Sequence, residues 1–231
     1  MDTKNMVSVI IPTLNEQEGI VEVIEDIPED DIRTLGYDIE VLVVDGGSTD
    51  NTVKKVKKLG SDQDAPIDIF HAEKGKAEGV KKGLKKVSGE LVFLIDGDGS
   101  YPAERIPDML KELENGSDMV LGSRFDGKIH DGAMSTKNKV GNKILTWLAN
   151  RLYGTEVSDL CTGLRGFKKE NLKKGEIPCE GFEIEAALHT LFSDANVSEI
   201  GIRYDKRKGT SKLKTTDGFK IASRLLKERF R

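Results

Sequence analysis

The sequence predicts an α/β protein built on a mostly parallel, twisted sheet flanked by helices. Short runs rich in Val, Ile and Leu alternate with amphipathic segments of helical period through the first half of the chain. That order produces a parallel sheet wrapped by helices. Several of these runs end in Gly or an acidic residue, as strands do where a buried sheet gives way to a loop. At 231 residues the chain is long enough to bury one substantial core.

Each element can be justified in turn. "MVSVIIP" is the first strand, and "EQEGIVEVIEDI" predicts a helix burying Ile20, Val23, Ile24 and Ile27. "IEVLVVDGG" is the second strand. In "STDNTVKKVKKLG", Ser48 or Asp50 caps a helix that buries Val53, Val56 and Leu59 and stops at Gly60. "IDIFHA" is a strand, and "GKAEGVKKGLKKV" a helix with Ala77, Val80, Leu84 and Val87 inward. "ELVFLI" is the fourth strand; the helix "AERIPDMLKELENG" and the strand "DMVLGS" complete a first half near residue 123. "RFDGKIHDGAMSTKNK" carries Gly and charge without periodicity and reads as a mobile loop. A helix from about Val140 to Tyr153 follows, with Ile144, Leu145, Leu148 and Leu152 as its apolar stripe. "TGLRGF" then reads as a strand, "FEIEAALHTLF" as a helix and "VSEIGIRYDKR" as the last strand. The closing "DGFKIASRLLKERFR" is a helix with Phe219, Ala222, Leu226 and Phe230 on one face and basic residues elsewhere.

A net charge of −4 argues against a general nucleic-acid binder, so no nucleic-acid partner is expected. Positive charge is nevertheless concentrated from Arg203 onward, where it suits phosphate or an anionic membrane surface. Cys161 and Cys179 are too few for a disulfide framework and too far apart for a metal knuckle, which points to structural thiols in a reducing compartment. No stretch reads as a signal peptide or a membrane span, so any membrane contact is expected to be peripheral.

In parallel α/β sheets, ligands bind where loops leave the carboxyl ends of the strands. Those ends here read "PTLNEQEG", "DGGSTD" and "DGDGS". Asp96 and Asp98, two residues apart after a buried strand, repel each other unless a cation lies between them, and hard oxygen ligands suit Mg²⁺ or Mn²⁺. A nucleoside diphosphate held through that metal fits the pair, with Gly97 and Gly99 leaving room for close approach. A surface Asp-Gly turn is the alternative. Asp45 is placed to accept hydrogen bonds from a base or ribose, or else forms an Asx turn or helix cap. Pro12, Leu14 and Glu16 would frame the base. No Ser-His-Asp or Cys-His set is apparent, and His71, His130 and His189 stand in unrelated contexts that suit ordinary packing or solvation. Glu183 and Glu185 in "GFEIE" either face a donor or flank a buried helix, and Trp147 and Phe219 suit a core or a membrane better than base stacking.

"VSVIIPTLNE", "VLVVDGGSTDNT", "GKAEGV", "FLIDGDGSYP", "LGSRF", "DLCTGLRGF", "GFEIE" and "RKGTSKL" occur in the order seen in family 2 glycosyltransferases, and the chain resembles that family over nearly its whole length. "RKGTSKL" is similar to the polyprenyl-phosphate hexosyltransferase branch, which includes dolichol-phosphate mannose synthase. "GAMSTKNKVGN" and "DGDGSYP" look like archaeal members that load a sugar from UDP onto dolichyl phosphate for N-glycan assembly.

The resemblance implies a GT-A fold over residues 1–231, with a nucleotide-binding half (1–123), an acceptor-side half (124–215) and a basic amphipathic terminal helix (216–231). Pro12, Leu14, Glu16, Asp45, Asp96, Gly97 and Asp98 would contact the nucleotide sugar. Asp96, Asp98 and Ser100 would serve the metal, Ser100 standing where mannosyl-transferring members often carry Gln, and Leu14 where Tyr is common. Arg124, Arg207, Ser211 and Lys212 would hold the acceptor phosphate, and Asp98, Arg124, Arg207 and Lys212 would carry catalysis.

The implied reaction is inverting, metal-dependent transfer of N-acetylglucosamine or glucose from a UDP-sugar to dolichyl phosphate, at the cytoplasmic face of a membrane. GDP-mannose is the alternative donor. An ionised lipid phosphate needs no protein base to attack the anomeric carbon, which agrees with the lack of one. A sugar-phosphate nucleotidyltransferase would instead begin with a Gly-rich loop ending in Arg, and a non-catalytic nucleotide-sugar binder would not turn over its donor.

Overall fold

A computed structural model describes residues 5–60, 66–73, 75–172, 177, 179 and 181–230. The apolar runs form β1 (Met6–Thr13), β2 (Asp38–Asp45), β3 (Ile67–His71) and β4 (Leu91–Leu94). They pair in parallel in the order β3-β2-β1-β4, with Val9 opposite both Val41 and Phe93. Successive residues of a strand point to opposite faces. Val7, Val9 and Ile11 therefore enter one core and Ile10 the other.

The first core is roofed by α1 (Ile20–Glu25), α2 (Glu29–Thr34), α3 (Thr52–Leu59) and α5 (Ile106–Glu114), through Ile24, Ile32, Val56 and Leu110. The second is covered by α4 (Lys76–Leu84) and α7 (Ile184–Leu191), through Val80 and Leu188. Covering both faces explains why these strands read as continuous apolar runs. Gly83 lets α4 lie directly on β1, since a Cβ there would sit 2.7 Å from Ile10. That close approach brings the start of α4, at Lys76, to the carboxyl edge of the sheet.

The sheet continues through β6 (Arg165–Lys168), β5 (Met119–Ile129) and β7 (Val197–Tyr204). Among the described residues, β6 is the one strand that runs antiparallel to its neighbours, lying between β4 and β5. α6 (Thr136–Tyr153) and α8 (Thr215–Arg229) pack outside α7 through Leu145, Ala149, Ala186, Ile221 and Leu225. Ser135 caps α6 by accepting from the Asn138 amide, and Gly154 ends it in the left-handed region.

Several expectations change. The helix expected from Glu16 to Ile27 spans only Ile20–Glu25, because Glu16 opens a turn that positions the site, and α2 was not foreseen. "RFDGKI" is strand rather than mobile loop: β5 runs through it, with Lys128 and Ile129 opposite Arg203 and Tyr204, and α6 starts at Thr136. β5 therefore crosses the division drawn between residues 123 and 124. Ile144, expected in the buried stripe, is 58% exposed because α6 rests on its Leu145–Ala149 side, and of the expected α8 stripe Phe219, Leu226 and Phe230 are exposed while Ala222 packs inward.

Between Ser123 and Lys128 the β5–β7 register slips, a bulge that re-aims the side chains within it. Gly127 is required there, since any side chain would strike the Ile202 backbone. Arg124 lies in that bulge.

Candidate functional site

The strand-one and strand-two loops are sewn together. Asn15, held at φ 51°, accepts from the Thr49 amide at 2.8 Å, and its own amide donates to Ser48 Oγ. The Glu16 amide donates to Thr52 Oγ1 at 2.9 Å. Asp50 accepts from the Gln17 amide and from the Thr52 amide and hydroxyl, but the N-cap of α3 is Asn51 and no side chain caps it, so the cap expected of Ser48 or Asp50 is not formed. Asp45, 4% exposed, accepts from the Gly47 and Ser48 amides and lies 3.7 Å from His71 Nδ1. It thus forms the Asx turn weighed as its alternative role. Pro12 is half-buried beside Gly79 of α4, and Leu14 is half-buried in the loop between.

The "DGDGS" loop follows β4 at the same edge. Ser100 is fully buried, and both its amide and its hydroxyl donate to Asp98 Oδ1, at 2.9 and 2.5 Å. Gly97 is not left open for a ligand, because it is packed against Thr13 and Ile20, where a Cβ would lie 2.9 and 3.2 Å from their side chains.

Each carboxylate has its own cation, drawn from far along the chain. Lys76 Nζ bridges Asp96 Oδ1 at 2.6 Å and Glu185 Oε1 at 2.5 Å. Arg207 reaches Asp98 Oδ2 at 2.9 Å, and Lys212 pairs with Glu16. Burial alone would raise the Asp96 carboxyl, yet Lys76, with Arg207 and Arg124 behind it, holds it below the ordinary carboxylate range. Burial likewise opposes charge on Lys76, but its two carboxylates push its pKa up. Burial raises Glu16 to about 7 in spite of Lys212 and Arg207.

Arg124 is 5% exposed. Its Nε and Nη2 donate to the two oxygens of Asp159 at 2.6 and 2.7 Å, leaving Nη1 as the terminal nitrogen not used by that carboxylate. Its guanidinium lies 5.1 Å from the Tyr204 ring and 6.0 Å from that of Tyr101. Asp159 is fully buried, and its amide and that of Ser158 donate to Glu199. Ser211 is exposed on the segment that carries Arg207 and Lys212.

The structure thus gathers Glu16, Asp96, Asp98, Ser100, Arg207 and Lys212, with Arg124 beneath them. Lys76 and Asp159 escaped the sequence reading, although both lie inside quoted stretches, "GKAEGV" and "DLCTGLRGF". The cysteines behave as structural thiols, burial pushing both up to about 12. His189 is buried against Thr155, and burial followed by the charge of Arg165 lowers it to about 4.

A divalent cation suits this chemistry: two carboxylates with a hydroxyl behind them, both oriented and both already attracting cations. No cluster of three or more His, Cys, Asp or Glu occurs among the described residues. Two carboxylates alone would leave the rest of a divalent cation's coordination to other oxygen ligands, such as phosphate and water.

The family model for glycosyl transferase family 2 matches residues 8–175. The dolichol-phosphate mannosyltransferase of Pyrococcus furiosus is 31% identical over 90% of this chain and 59% of its own length. The UDP-N-acetylglucosamine--dolichyl-phosphate N-acetylglucosaminyltransferase of Methanococcus voltae is 29% identical over 96% of this chain and 95% of its own. Several curated relatives are longer proteins, of which this chain spans 52–59%. Among solved structures, glucosyl-3-phosphoglycerate synthase from Mycobacterium tuberculosis, in complex with Mn²⁺, UDP-glucose and phosphoglyceric acid, superposes with a TM-score of 0.70 at 20% identity, covering 98% of this chain and 80% of that one.

Proposed function

This chain belongs to glycosyl transferase family 2 and has its GT-A fold, and on that premise we propose that it transfers N-acetylglucosamine or glucose from a UDP-sugar to dolichyl phosphate, with inversion, in a pathway of protein N-glycosylation. The observation that carries the proposal is the meeting, at one sheet edge, of a carboxylate pair suited to a metal-bound diphosphate with three cations suited to a second phosphate. The Methanococcus relative, matched along nearly its whole length, is named for this donor and acceptor. The Pyrococcus relative favours a second reading in which the donor is GDP-mannose.

In this mechanism Asp96 and Asp98 would hold Mg²⁺ or Mn²⁺, with Ser100 fixing the rotamer of Asp98. The metal would supply positive charge to the departing nucleoside diphosphate. Pro12, Leu14, Glu16 and Asp45 frame the nucleoside. Arg207, Ser211, Lys212 and the Nη1 side of Arg124 orient the acceptor phosphate. That phosphate is ionised at neutral pH, so an oxygen attacks the anomeric carbon as the diphosphate leaves from the opposite face, and no protein base is needed. The deciding assay offers UDP-N-acetylglucosamine, UDP-glucose and GDP-mannose, each radiolabelled, with dolichyl phosphate and Mn²⁺. Organic-soluble label from a UDP donor is expected; label from GDP-mannose alone selects the second reading, and label from none refutes both.

A lipid acceptor requires a membrane surface. Among the described residues no helix is long and apolar enough to cross a bilayer. Val140, Ile144 and Trp147 of α6 and Phe219, Leu226 and Phe230 of α8 are exposed, Phe219 at 75%. α6 carries Lys137, Lys139, Lys143 and Arg151 and no acidic residue. Apolar ridges with basic flanks suit an anionic interface. Trp147→Glu combined with Phe219→Glu is expected to reduce co-sedimentation with phosphatidylglycerol vesicles at least about tenfold, a loss of ~1.4 kcal/mol or more, while UDP binding persists. Unchanged sedimentation would exclude this face.

A further inference from the structure

Segment 205–212 lies across the donor carboxylates in a way the transfer reaction does not require. The Asp205 amide donates to the Ser100 carbonyl at 3.0 Å and the Lys208 amide to the Asp98 carbonyl at 2.8 Å. Arg207 Nη2 is 2.9 Å from Asp98 Oδ2 and 3.4 Å from Glu16 Oε1. Lys212 pairs with the same Glu16 oxygen and donates to the Asn15 carbonyl at 3.2 Å. Two cations assigned to the acceptor phosphate are therefore seated on the donor-side acids. The Arg207 and Lys212 side chains are 27% and 28% exposed, so these seats are partly withdrawn from water.

From these contacts we infer that Arg207 and Lys212 have two alternative seats, and that this sets the order of binding. The inference rests on the metal-and-donor reading of Asp96 and Asp98. Arg207 occupies the charge position that a divalent cation would take at Asp98. Donor and metal displace it, and only then do Arg207 and Lys212 become free to hold an acceptor phosphate. A lipid phosphate arriving first meets cations already neutralised by Asp98 and Glu16. Arg207 thus opposes metal binding at Asp98, although transfer needs it.

A cation that competes with a metal gives an effect of unusual sign. Measured by electron paramagnetic resonance with Mn²⁺ alone, Arg207→Ala is expected to bind Mn²⁺ about fivefold more tightly than the wild type, from the loss of one partly screened ion pair. Lys208→Ala is the control for net charge, because Lys208 pairs with Glu22 and not with a donor carboxylate. It is expected to leave Mn²⁺ affinity unchanged. Affinity in Arg207→Ala equal to or below wild type, where the wild type binds Mn²⁺ with UDP, would overturn the two-seat inference and leave the donor reading intact. An equal gain in both variants would also overturn it, as a general charge effect. No Mn²⁺ binding by any form, with UDP or GDP present, would bring down the metal reading and this inference with it. In calorimetry, farnesyl phosphate is expected to bind the wild type more tightly once Mn²⁺ and UDP are present; equal affinity without them contradicts the order.

Discussion

Asp98→Ala is expected to lower sugar transfer about a thousandfold or more, a loss comparable to removing a preorganised charge stabiliser from an active site. Asp98 is 5% exposed, and both of its oxygens are engaged, one by Ser100 and one by Arg207. Arg207 retains Glu16 at 3.4 Å, whereas the buried Ser100 amide and hydroxyl lose their acceptor, a cost of about 1–3 kcal/mol. What disappears is half of the carboxylate pair, and with it the site proposed for a cation next to the leaving diphosphate. Asp98→Asn, which keeps the shape and removes the charge, is expected to fall as far. Label recovered in dolichyl lipid measures both variants, and a variant that keeps more than about a tenth of wild-type transfer would remove Asp98 from the mechanism.

Asp159→Ala is expected to cost about 3–5 kcal/mol of stability, because it leaves the Arg124 guanidinium buried without its counter-charge. Asp159 is fully buried and Arg124 nearly so, so solvent cannot screen the loss. Urea denaturation reads the effect. The double variant Arg124→Met with Asp159→Leu removes the charges together and is expected to recover most of that stability, but none of the lost transfer. A destabilisation under about 1 kcal/mol in Asp159→Ala would show that Arg124 finds another partner. Recovery of transfer by the double variant would show that Arg124 only supports the sheet.

The first four strands were legible because parallel strands buried on both faces are written as unbroken apolar runs, such as "VSVII" and "VLVV". α2 was not, since Glu29–Thr34 offers only Ile32 to the core and six residues are too short to show a period. The outer part of β5 was obscured by its composition: a bulged strand whose Asp126, Gly127 and Lys128 are exposed does not alternate. On α6 two apolar ridges lie side by side, and periodicity alone does not say that Leu145 and Ala149 face protein while Ile144 and Trp147 do not.

The acids of the site were readable at the strand ends, because their mutual repulsion asked for an explanation. Their cations were not equally visible. Lys76 is one of several lysines in a helix that reads as solvated, and only the tertiary fold sets it between Asp96 and Glu185. Asp159 is separated by 35 residues from the arginine it orients.

The place of β6 has a consequence for how the protein is made. Arg165–Lys168 is inserted between Leu91–Leu94 and β5, both of which leave the ribosome earlier. Until that strand arrives, β4 presents a bare sheet edge, and β5 lacks both of its neighbours, since β7 is later still. Bare edges invite pairing with other chains, so the nascent donor half passes through an aggregation-sensitive interval that its own sequence cannot end. The strand that ends it follows directly on Asp159 and Gly163, which hold Arg124 and Tyr101. Closing that edge and seating Arg124 are therefore a single step of synthesis, completed before Arg207 and Lys212 have been made.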